Sequence, residues 1–374
     1  MNYAIDPSKG EAAYLQLYRL LVRDIVSGAY PYGSRLPSKR LLAAEAGVSV
    51  ITAEHAFGLL CEEGYAESRE RSGCFVLYRA ADFPGQPLTE PPRLPPPPQL
   101  RGGGEFPFSV LARTMRRVLL DYGERILVKS PNHGCPELRE AICAYLGRSR
   151  GLRVLPGQVI VGSGAEYLYG LIAQLFGRER VFALEKPSYE KIRRVYESMG
   201  VRCELLPLAG DGIPSRLLEK TGASVLHVTP FHSFPSGVSA DISKKREYLR
   251  WARVREGFVV EDNYDSELTV SRKAEDSLFA LAEGRRVLYL NTFSKTIAPA
   301  MRVGYMVLPE ELTEAFSARL GFYSCPVPLF EQYVLAELLR TGDYERHLNR
   351  VRRRKRKESA GGEGEPLPAD PADA

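Results

Sequence analysis

A proline-rich stretch interrupts the 374-residue chain and limits what it can fold into. Residues 82–104 read DFPGQPLTEPPRLPPPPQLRGGG, with eight prolines and a closing glycine triplet. Such segments favour an extended polyproline II conformation and cannot pack a hydrophobic core. The sequence therefore predicts a linker at 81–104 between two separately folded parts, residues 1–80 and 105–357.

The composition favours a cytoplasmic protein. No run of about 18 apolar residues occurs, so no transmembrane helix is expected. The first residues, MNYAIDPSKG, lack the pattern of a secretory signal. The cysteines are far apart and form no CxxC pair, which is typical of reduced thiols and does not indicate a metal site. They are Cys61, Cys74, Cys135, Cys143, Cys203 and Cys325.

The net charge of +5 does not by itself indicate a nucleic-acid ligand. The segment RVRRRKRK at 350–357 holds seven of the 51 basic residues, and the other 44 face 46 acidic residues. Residues 1–80 carry nine side chains of each sign. A DNA-binding function must therefore be inferred from a motif and from local clusters of basic residues.

Residues 1–80 are predicted to form short helices followed by a pair of strands. An amphipathic helix is predicted within AAYLQLYRLLVRDIVSG. Ser38 and Ser49 are candidate N-caps of two further helices, with Gly47 in the turn between them and Gly64 at the end of the second. Two β segments follow around RERSG. This order is typical of a helix-turn-helix with a β wing.

Residues 33–76, GSRLPSKRLLAAEAGVSVITAEHAFGLLCEEGYAESRERSGCFV, resemble the winged-helix domain of the GntR family of regulators. Helix N-termini and Arg, Ser and Thr side chains bind phosphates, and the start of the second helix reads base edges. The resemblance implies a double-stranded DNA operator as a partner, with a glycine that lets the wing approach the DNA backbone. It places these residues near DNA: Arg35, Ser38, Lys39, Arg40, Ser49, Thr52, His55, Arg71 and Gly73.

Two positions depart from that pattern. Many relatives carry basic residues where this chain has Val50 and Glu54 in the second helix of the motif. Attraction of phosphates must then come from local clustering of the remaining basic side chains. The alternative interpretation is a small helical domain that binds another protein.

From about residue 105 to 357, apolar strands alternate with amphipathic helices, which is typical of an α/β domain. The predicted strand 287–290 is followed by NTFSK, and ligands of α/β sheets bind beyond the carboxyl ends of the strands. Lys295 therefore lies where chemistry is expected. A single loop lysine is usually a solvated charge, so its role depends on its partners.

Pyridoxal 5′-phosphate (PLP) is a cofactor that requires such partners. It needs a lysine amine to bond its aldehyde, a carboxylate for its pyridine nitrogen and a flat group against its ring. Asp262, after the predicted strand 258–260, is the candidate carboxylate, and Tyr264 is a candidate donor to the ring's phenolic oxygen. Tyr189, which follows another strand in EKPSYE, is the candidate stacking ring.

The phosphate of PLP requires amide and cationic donors. In QVIVGSGAEYLYGLIAQLF a strand leads through Ser163, Gly164 and Ala165 into a helix, which points backbone N–H groups at an anion. Arg302 offers a bidentate cation, and either Ser294 or Thr292 offers a hydroxyl.

These motifs, in this order, resemble the large domain of fold-type I, class I/II aminotransferases from about residue 130 to 350. Together with the N-terminal motif and the linker, the chain is similar to the MocR/GabR-type subfamily of GntR regulators. TPFHSFPSG at 229–237, VVEDNYDSE and NTFSKTIAPAMRVGY carry the most specific likeness. The resemblance implies Lys295 as the catalytic and cofactor-attaching residue, His232 and its loop near the ring, and a homodimer.

Two features depart from the aminotransferase pattern. Relatives place a tyrosine where this chain has Lys129, and they continue into a small domain with a carboxylate-binding arginine. Here residues 358–374, ESAGGEGEPLPADPADA, are rich in glycine, proline, alanine and acids and are predicted to be disordered. The abrupt change of composition suggests a truncation or a change of reading frame.

The leading hypothesis is a transcriptional regulator whose PLP-binding domain senses PLP, an amino acid or another amine. The main alternative is an active aminotransferase with an accessory DNA-binding head, in which Lys295 also moves the substrate proton. A third possibility is an inert protein whose shortened domain folds poorly.

Overall fold

The computed structural model describes residues 3–6, 10–70, 72–79, 106–264, 266–268 and 276–360. Contacts between residues divide the chain into two units, 1–98 and 99–374. Arg71, the predicted linker at 81–104 and residues 361–374 of the predicted tail lie outside the described residues.

The N-terminal unit combines a helical core with a two-stranded antiparallel sheet. Its described elements are α1 (Ala13–Val26), α2 (Lys39–Ala46), α3 (Val50–Glu62), β1 (Ala66–Arg69) and β2 (Gly73–Val76). Leu21 of α1, Leu42 of α2 and Phe57 of α3 meet in a buried core. The predicted helix-turn-helix is α2 and α3, and the predicted wing is the β1–β2 pair.

The C-terminal unit is built on a mixed sheet, which confirms the α/β prediction. Its strands are β3 (Val159–Gly162), β4 (Val181–Lys186), β5 (Arg202–Pro207), β6 (Val225–Val228), β7 (Phe258–Asp262), β8 (Val287–Thr292) and β9 (Gly304–Val307). Their order is β3-β9-β8-β7-β6-β4-β5. β9 is antiparallel to both neighbours and the other pairs are parallel. Both faces are covered by helices, which explains the continuous apolar runs in the central strands.

The described helices of this unit are α4 (Phe108–Tyr122), α5 (Pro136–Arg150), α6 (Ala165–Phe176), α7 (Glu190–Ser198), α8 (Ser215–Lys220), α9 (Ile242–Val254), α10 (Leu278–Leu281), α11 (Glu310–Leu320), α12 (Leu329–Arg340) and α13 (Asp343–Ala360). One buried cluster joins α5, α9, α12 and α13 to the sheet, and a second joins α6, α7 and α11 to it. α13 extends three residues past the predicted domain end at 357. In the described parts of the chain, no helix has the length and apolar character needed to cross a membrane.

The strand register brings several predicted residues to one edge of the sheet. Gly304, at the start of β9, pairs with Gly162 of β3 on one side and Thr292 of β8 on the other. Asp262 pairs with Leu290 of β8, so β7 continues two residues past its predicted end. Because the parallel strands share a direction, their carboxyl ends and the loops that follow them meet at this edge.

Candidate functional site

Asp262 is the buried carboxylate at the centre of the candidate site, and its residue is 3% exposed. The Tyr169 hydroxyl donates to its Oδ2, and the backbone N–H of Tyr264 donates to Oδ1 at 3.2 Å. His227 Nε2 lies 3.6 Å from Oδ2, and no lysine or arginine among the described residues forms an ion pair with this carboxylate. A buried carboxylate is stabilised by a cation, so this position suits a positively charged ligand atom.

A group of buried rings surrounds that carboxylate. Tyr196 Oη and His227 Nδ1 are hydrogen-bonded at 2.8 Å, and the ring centroids of Tyr169 and His227 are 5.3 Å apart. Burial, followed by the charge of Asp262, raises the pKa of both tyrosines well above 10, so their hydroxyls keep their protons. His227 Nε2 is buried and has no hydrogen-bond partner among the residues that the structure describes. The site therefore retains unused hydrogen-bonding capacity beside Asp262.

Sequence reasoning missed Tyr169, Tyr196 and His227. A usable signal was present for the histidine, because it is the only polar side chain in the four-residue buried strand VLHV. The two tyrosines lie on the buried faces of α6 and α7, where aromatic residues are ordinary core components. Only the tertiary structure connects them to the carboxylate.

Tyr264 connects two predicted loops. Its hydroxyl donates to the backbone carbonyl of His232 at 3.2 Å, and Lys295 Nζ lies 4.6 Å from the centroid of its ring. Lys295 itself is exposed and follows β8. The structure thus brings Asp262, Tyr264, Lys295 and the His232 loop together; their role around the ring of a cofactor stays a prediction.

The turn between β3 and α6 lies against Arg302. Gly164 has φ of +91° and precedes α6, with Ser163 and Ala165 half-buried beside it. A Cβ atom at Gly164 would lie 2.9 Å from Arg302 Nη2, so only glycine allows the guanidinium to approach this closely. Arg302 pairs with Glu166 Oε2 at 2.6 Å and its side chain is 52% exposed. An anion at this turn would compete with Glu166 for the guanidinium.

The two predicted hydroxyl groups are hydrogen-bonded within the segment 292–303, which contains both Lys295 and Arg302. Thr292 Oγ1 lies 3.2 Å from both Ser294 Oγ and the Val303 carbonyl, and its single proton is shared between these two acceptors. Ser294 Oγ donates to the Met301 carbonyl at 2.9 Å. Both side chains therefore bond to the backbone of the residues on either side of Arg302, within the segment that carries Lys295.

Tyr189 and Glu185 lie at the carboxyl end of β4. Tyr189 is half-buried, precedes α7 and has Lys191 Nζ 5.5 Å from its ring centroid. Glu185, which was not predicted, accepts from the Thr229 backbone at 3.2 Å and from Ser233 Oγ at 2.8 Å. Burial, together with nearby Asp262, raises the pKa of Glu185 to about 8 against the hydrogen bonds it accepts. This carboxyl group anchors the loop that contains His232.

Most of the predicted DNA-contacting residues that the structure describes are exposed, and Thr52 and Gly73 are half-buried. Ser38 Oγ caps α2 by accepting from the Leu41 N–H at 3.2 Å, and Ser49 Oγ caps α3 by accepting from the Thr52 N–H at 3.1 Å. Both N-cap predictions are confirmed. α3 ends at Glu62, two residues before the predicted Gly64.

Two basic residues of this surface, Lys39 and Arg35, already have close neighbours. Lys39 Nζ lies 2.6 Å from Glu54 Oε1, a hydrogen bond that holds the pKa of this carboxyl below its usual value. A Cβ at Gly73 would lie 2.7 Å from Arg35 Nε, so Arg35 occupies the open side of the wing glycine. Arg40 and His55 are exposed, with the His55 ring 5.8 Å from that of Tyr14.

Two protein-family models match the chain. Residues 13–76 match the model described as bacterial regulatory proteins of the gntR family, and residues 100–360 match the model of aminotransferase class I and II. Together the two matches span both units and agree with the predicted fold class. The class I and II aminotransferase fold implies dependence on PLP.

Curated regulators are similar over nearly the whole chain. The HTH-type transcriptional regulator YdeL of Bacillus subtilis is 33% identical over 93% of this chain and 77% of its own length. The probable rhizopine catabolism regulatory protein MocR of Rhizobium meliloti is 29% identical over 90% of this chain and 74% of its own.

A solved aminotransferase shares the fold of the larger unit. LysN, the α-aminoadipate aminotransferase of Thermus thermophilus in complex with N-(5′-phosphopyridoxyl)-L-leucine, superposes with a TM-score of 0.59 at 28% identity. The match covers 67% of this chain and 65% of LysN. The chain spans 63% of the length of a solved archaeal alanine:glyoxylate aminotransferase and 70% of that of a solved Thermus thermophilus aspartate aminotransferase.

Proposed function

Because the chain belongs to the MocR/GabR-type subfamily of GntR transcriptional regulators, we propose that it regulates transcription in response to a ligand bound at Lys295. Its gntR-family helix-turn-helix implies DNA binding. The observation that carries the ligand proposal is the buried Asp262, which has Tyr264 bonded to it and Lys295 Nζ 4.6 Å from the Tyr264 ring. We assign the site to PLP.

The residues fit PLP in charge and in placement. Bound PLP supplies an aldehyde that bonds reversibly to primary amines. Asp262 would hold the proton on the pyridine nitrogen, which supplies the cation that the buried carboxylate needs. Tyr264 would donate to the phenolic oxygen and Tyr189 would lie against the ring.

The phosphate fits the turn before α6. The N-terminus of α6 carries a partial positive charge, and the Arg302 guanidinium lies against Gly164. Either Thr292 or Ser294 would supply a hydroxyl group, and Glu166 must release Arg302 for the phosphate to bind it. Lys129 is at the position where relatives have a tyrosine that reaches the phosphate of the neighbouring subunit, and it would neutralise that phosphate without the geometry of a phenol.

The regulatory response requires a ligand that distinguishes two arrangements of the protein. An amine or amino acid would compete with Lys295 for the cofactor aldehyde, or PLP itself would be the signal. Either ligand can shift the equilibrium between the two arrangements only as far as its affinities for them differ. We assign a homodimer, a double-stranded DNA operator and a cytoplasmic location to this function.

The direct test is the visible absorption of the purified protein with PLP, compared with Lys295→Ala. The wild type should develop a band that the variant lacks, while Lys220→Ala, on the exposed end of α8, should retain it. Absence of a band in the wild type would refute cofactor binding. A band that persists in Lys295→Ala would refute the assignment of the lysine.

The sensing step needs a separate test. Upstream DNA that shifts in an electrophoretic assay should bind differently when PLP or members of an amino acid panel are added. A shift that responds to none of them would refute the sensing function. Multiple-turnover release of a keto acid would instead support the alternative of an active aminotransferase.

A further inference from the structure

Helix α13 contacts the loop of Lys295 at the residue next to the lysine. Tyr344 Oη donates to Thr296 Oγ1 at 3.0 Å, and His347 Nε2 is 2.9 Å from the Thr296 backbone oxygen. A carbonyl oxygen only accepts, so His347 donates with its proton on Nε2. Tyr344, His347 and Thr296 are 2%, 1% and 3% exposed. One residue of the loop is therefore held through both its side chain and its backbone.

We propose that Tyr344 and His347 are positioning residues that fix the Lys295 loop so that the lysine amine reaches a bound aldehyde. The inference rests on the proposed function, because it takes Lys295 as the residue that bonds the cofactor. Within the described residues, neither Tyr344 nor His347 contacts a side chain that we assign to the ring or to the phosphate of PLP. Their effect passes through Thr296.

The loop needs such an anchor because its lysine is exposed. The lysine side chain is a flexible four-carbon stem, so the position of its amine depends on the backbone from which it starts. On one side of Lys295, Ser294 Oγ is bonded to the Met301 carbonyl at 2.9 Å. On the other side, the hydrogen bonds from Tyr344 and His347 hold Thr296 in place. Lys295 thus extends from a backbone that is held immediately before and after it.

The same helix holds the segment that follows Tyr264. Arg352 Nε donates to the Glu267 backbone oxygen at 2.8 Å, and its Nη2 lies 3.4 Å from Glu267 Oε2. Glu267 is 1% exposed and also pairs with Arg150 at 3.5 Å and with Asn291 at 3.2 Å. α13 therefore contacts both the loop that carries Lys295 and the segment that follows Tyr264. The Lys295 amine and the Tyr264 ring come together between these two contacts. A shift of α13 would move the amine relative to the ring of the cofactor.

The test separates attachment of the aldehyde from binding of the cofactor. Tyr344→Phe in the full chain removes only the hydroxyl that bonds Thr296. The matched control is Tyr305→Phe in β9, which removes a buried hydroxyl that has no hydrogen-bond partner in the described part of the chain. The rate of PLP attachment is measured by borohydride trapping and mass spectrometry. Affinity is measured with pyridoxamine 5′-phosphate, which has no aldehyde.

We expect Tyr344→Phe to slow attachment about fivefold, the loss expected for one buried hydrogen bond. Its affinity for pyridoxamine 5′-phosphate should stay at the wild-type value, and Tyr305→Phe should change neither quantity. His347→Gln, which keeps an N–H donor, should attach PLP faster than His347→Leu. An unchanged attachment rate in Tyr344→Phe, an equal loss in Tyr305→Phe, or an equal loss of pyridoxamine 5′-phosphate affinity overturns the proposal.

Failure of the proposed function would be recognised separately. If the wild type attaches no PLP, the cofactor assignment is wrong, and the anchoring is then measured by hydrogen exchange of the amides at 293–303. Faster exchange there in Tyr344→Phe, but not in Tyr305→Phe, supports anchoring of the loop by α13. Unchanged exchange in both variants overturns it.

Discussion

The two units hold their candidate functional side chains in different ways. In the N-terminal unit, Ser38 and Ser49 are exposed and bond to amides three residues further along the chain. In the C-terminal unit, the buried Asp262 accepts from Tyr169, 93 residues away, and Glu185 accepts from Ser233, 48 residues away. Burial strengthens electrostatic interactions and makes an unpaired group costly. Substitutions should therefore have larger effects in the second unit than in the first.

The largest effect is expected from Asp262→Asn. If the carboxylate pairs with the pyridine nitrogen, removing its charge breaks a buried ion pair, worth about 4 kcal/mol or about 1000-fold in affinity. Titration with pyridoxamine 5′-phosphate, followed by absorbance, measures the loss. Asp211→Asn is the control, because the side chain of Asp211 is 54% exposed. An affinity that stays within about threefold of wild type would show that Asp262 does not bind the cofactor. It would also weaken the expectation that substitutions have larger effects in the C-terminal unit than in the N-terminal unit.

Glu185→Gln is expected to have a smaller effect, which concerns the stability of the fold and depends on pH. In the unfolded chain this carboxyl group releases its proton near its ordinary pKa, but in the folded protein burial raises the pKa to about 8. Between these values the folded state binds one proton more, so this group makes the wild type less stable as the pH rises. The neutral amide removes that loss and keeps an oxygen for the Thr229 N–H.

The stability of both proteins should therefore be compared by urea unfolding from pH 5 to 9. We expect the free energy of unfolding of the variant, relative to that of the wild type, to rise by about 3 kcal/mol between pH 5 and pH 8. This is somewhat less than the free energy that corresponds to the whole pKa shift, because the buried site can relax. A constant difference across this range would show that Glu185 is ionised in the folded state. The buried anchor of the His232 loop would then carry a charge.

The same contrast explains which features could be predicted from the sequence. The caps Ser38 and Ser49 depend on residue type and on partners within one turn of helix, so their pattern is complete in the local sequence. Asp262, Gly164 and Lys295 were also predicted, because strand ends and glycine turns mark the ligand edge of an α/β sheet. These residues are recognisable one by one, before their contacts are known.

The contacts that support the site could not be predicted in the same way. Tyr169 and Tyr344 have the pattern of ordinary core residues, since a buried tyrosine and a site tyrosine follow the same helical periodicity. Their hydroxyl groups reach Asp262 and Thr296 only after the sheet and helices have packed. The predicted end of β7 was early for a related reason. Polar residues were expected to end the strand, but Asp262 stays in the sheet because Tyr169 and the Tyr264 N–H satisfy its oxygens.

The smallest effect on stability is expected from Ser49→Ala in the N-terminal unit, where the candidate side chains are exposed and bond to nearby residues of the chain. The hydroxyl caps α3 and lies 2.8 Å from Thr52 Oγ1, and loss of such a cap costs about 1 kcal/mol. For a unit of this size the loss lowers the melting temperature by about 4 to 8 °C. Calorimetry without DNA measures it, and Ser68→Ala, at an exposed position of β1, is the control. Pyridoxamine 5′-phosphate affinity should not change. A loss of several kcal/mol would contradict a local role for this cap. It would indicate that Ser49 stabilises α3 as strongly as the buried carboxylates stabilise the candidate site of the C-terminal unit.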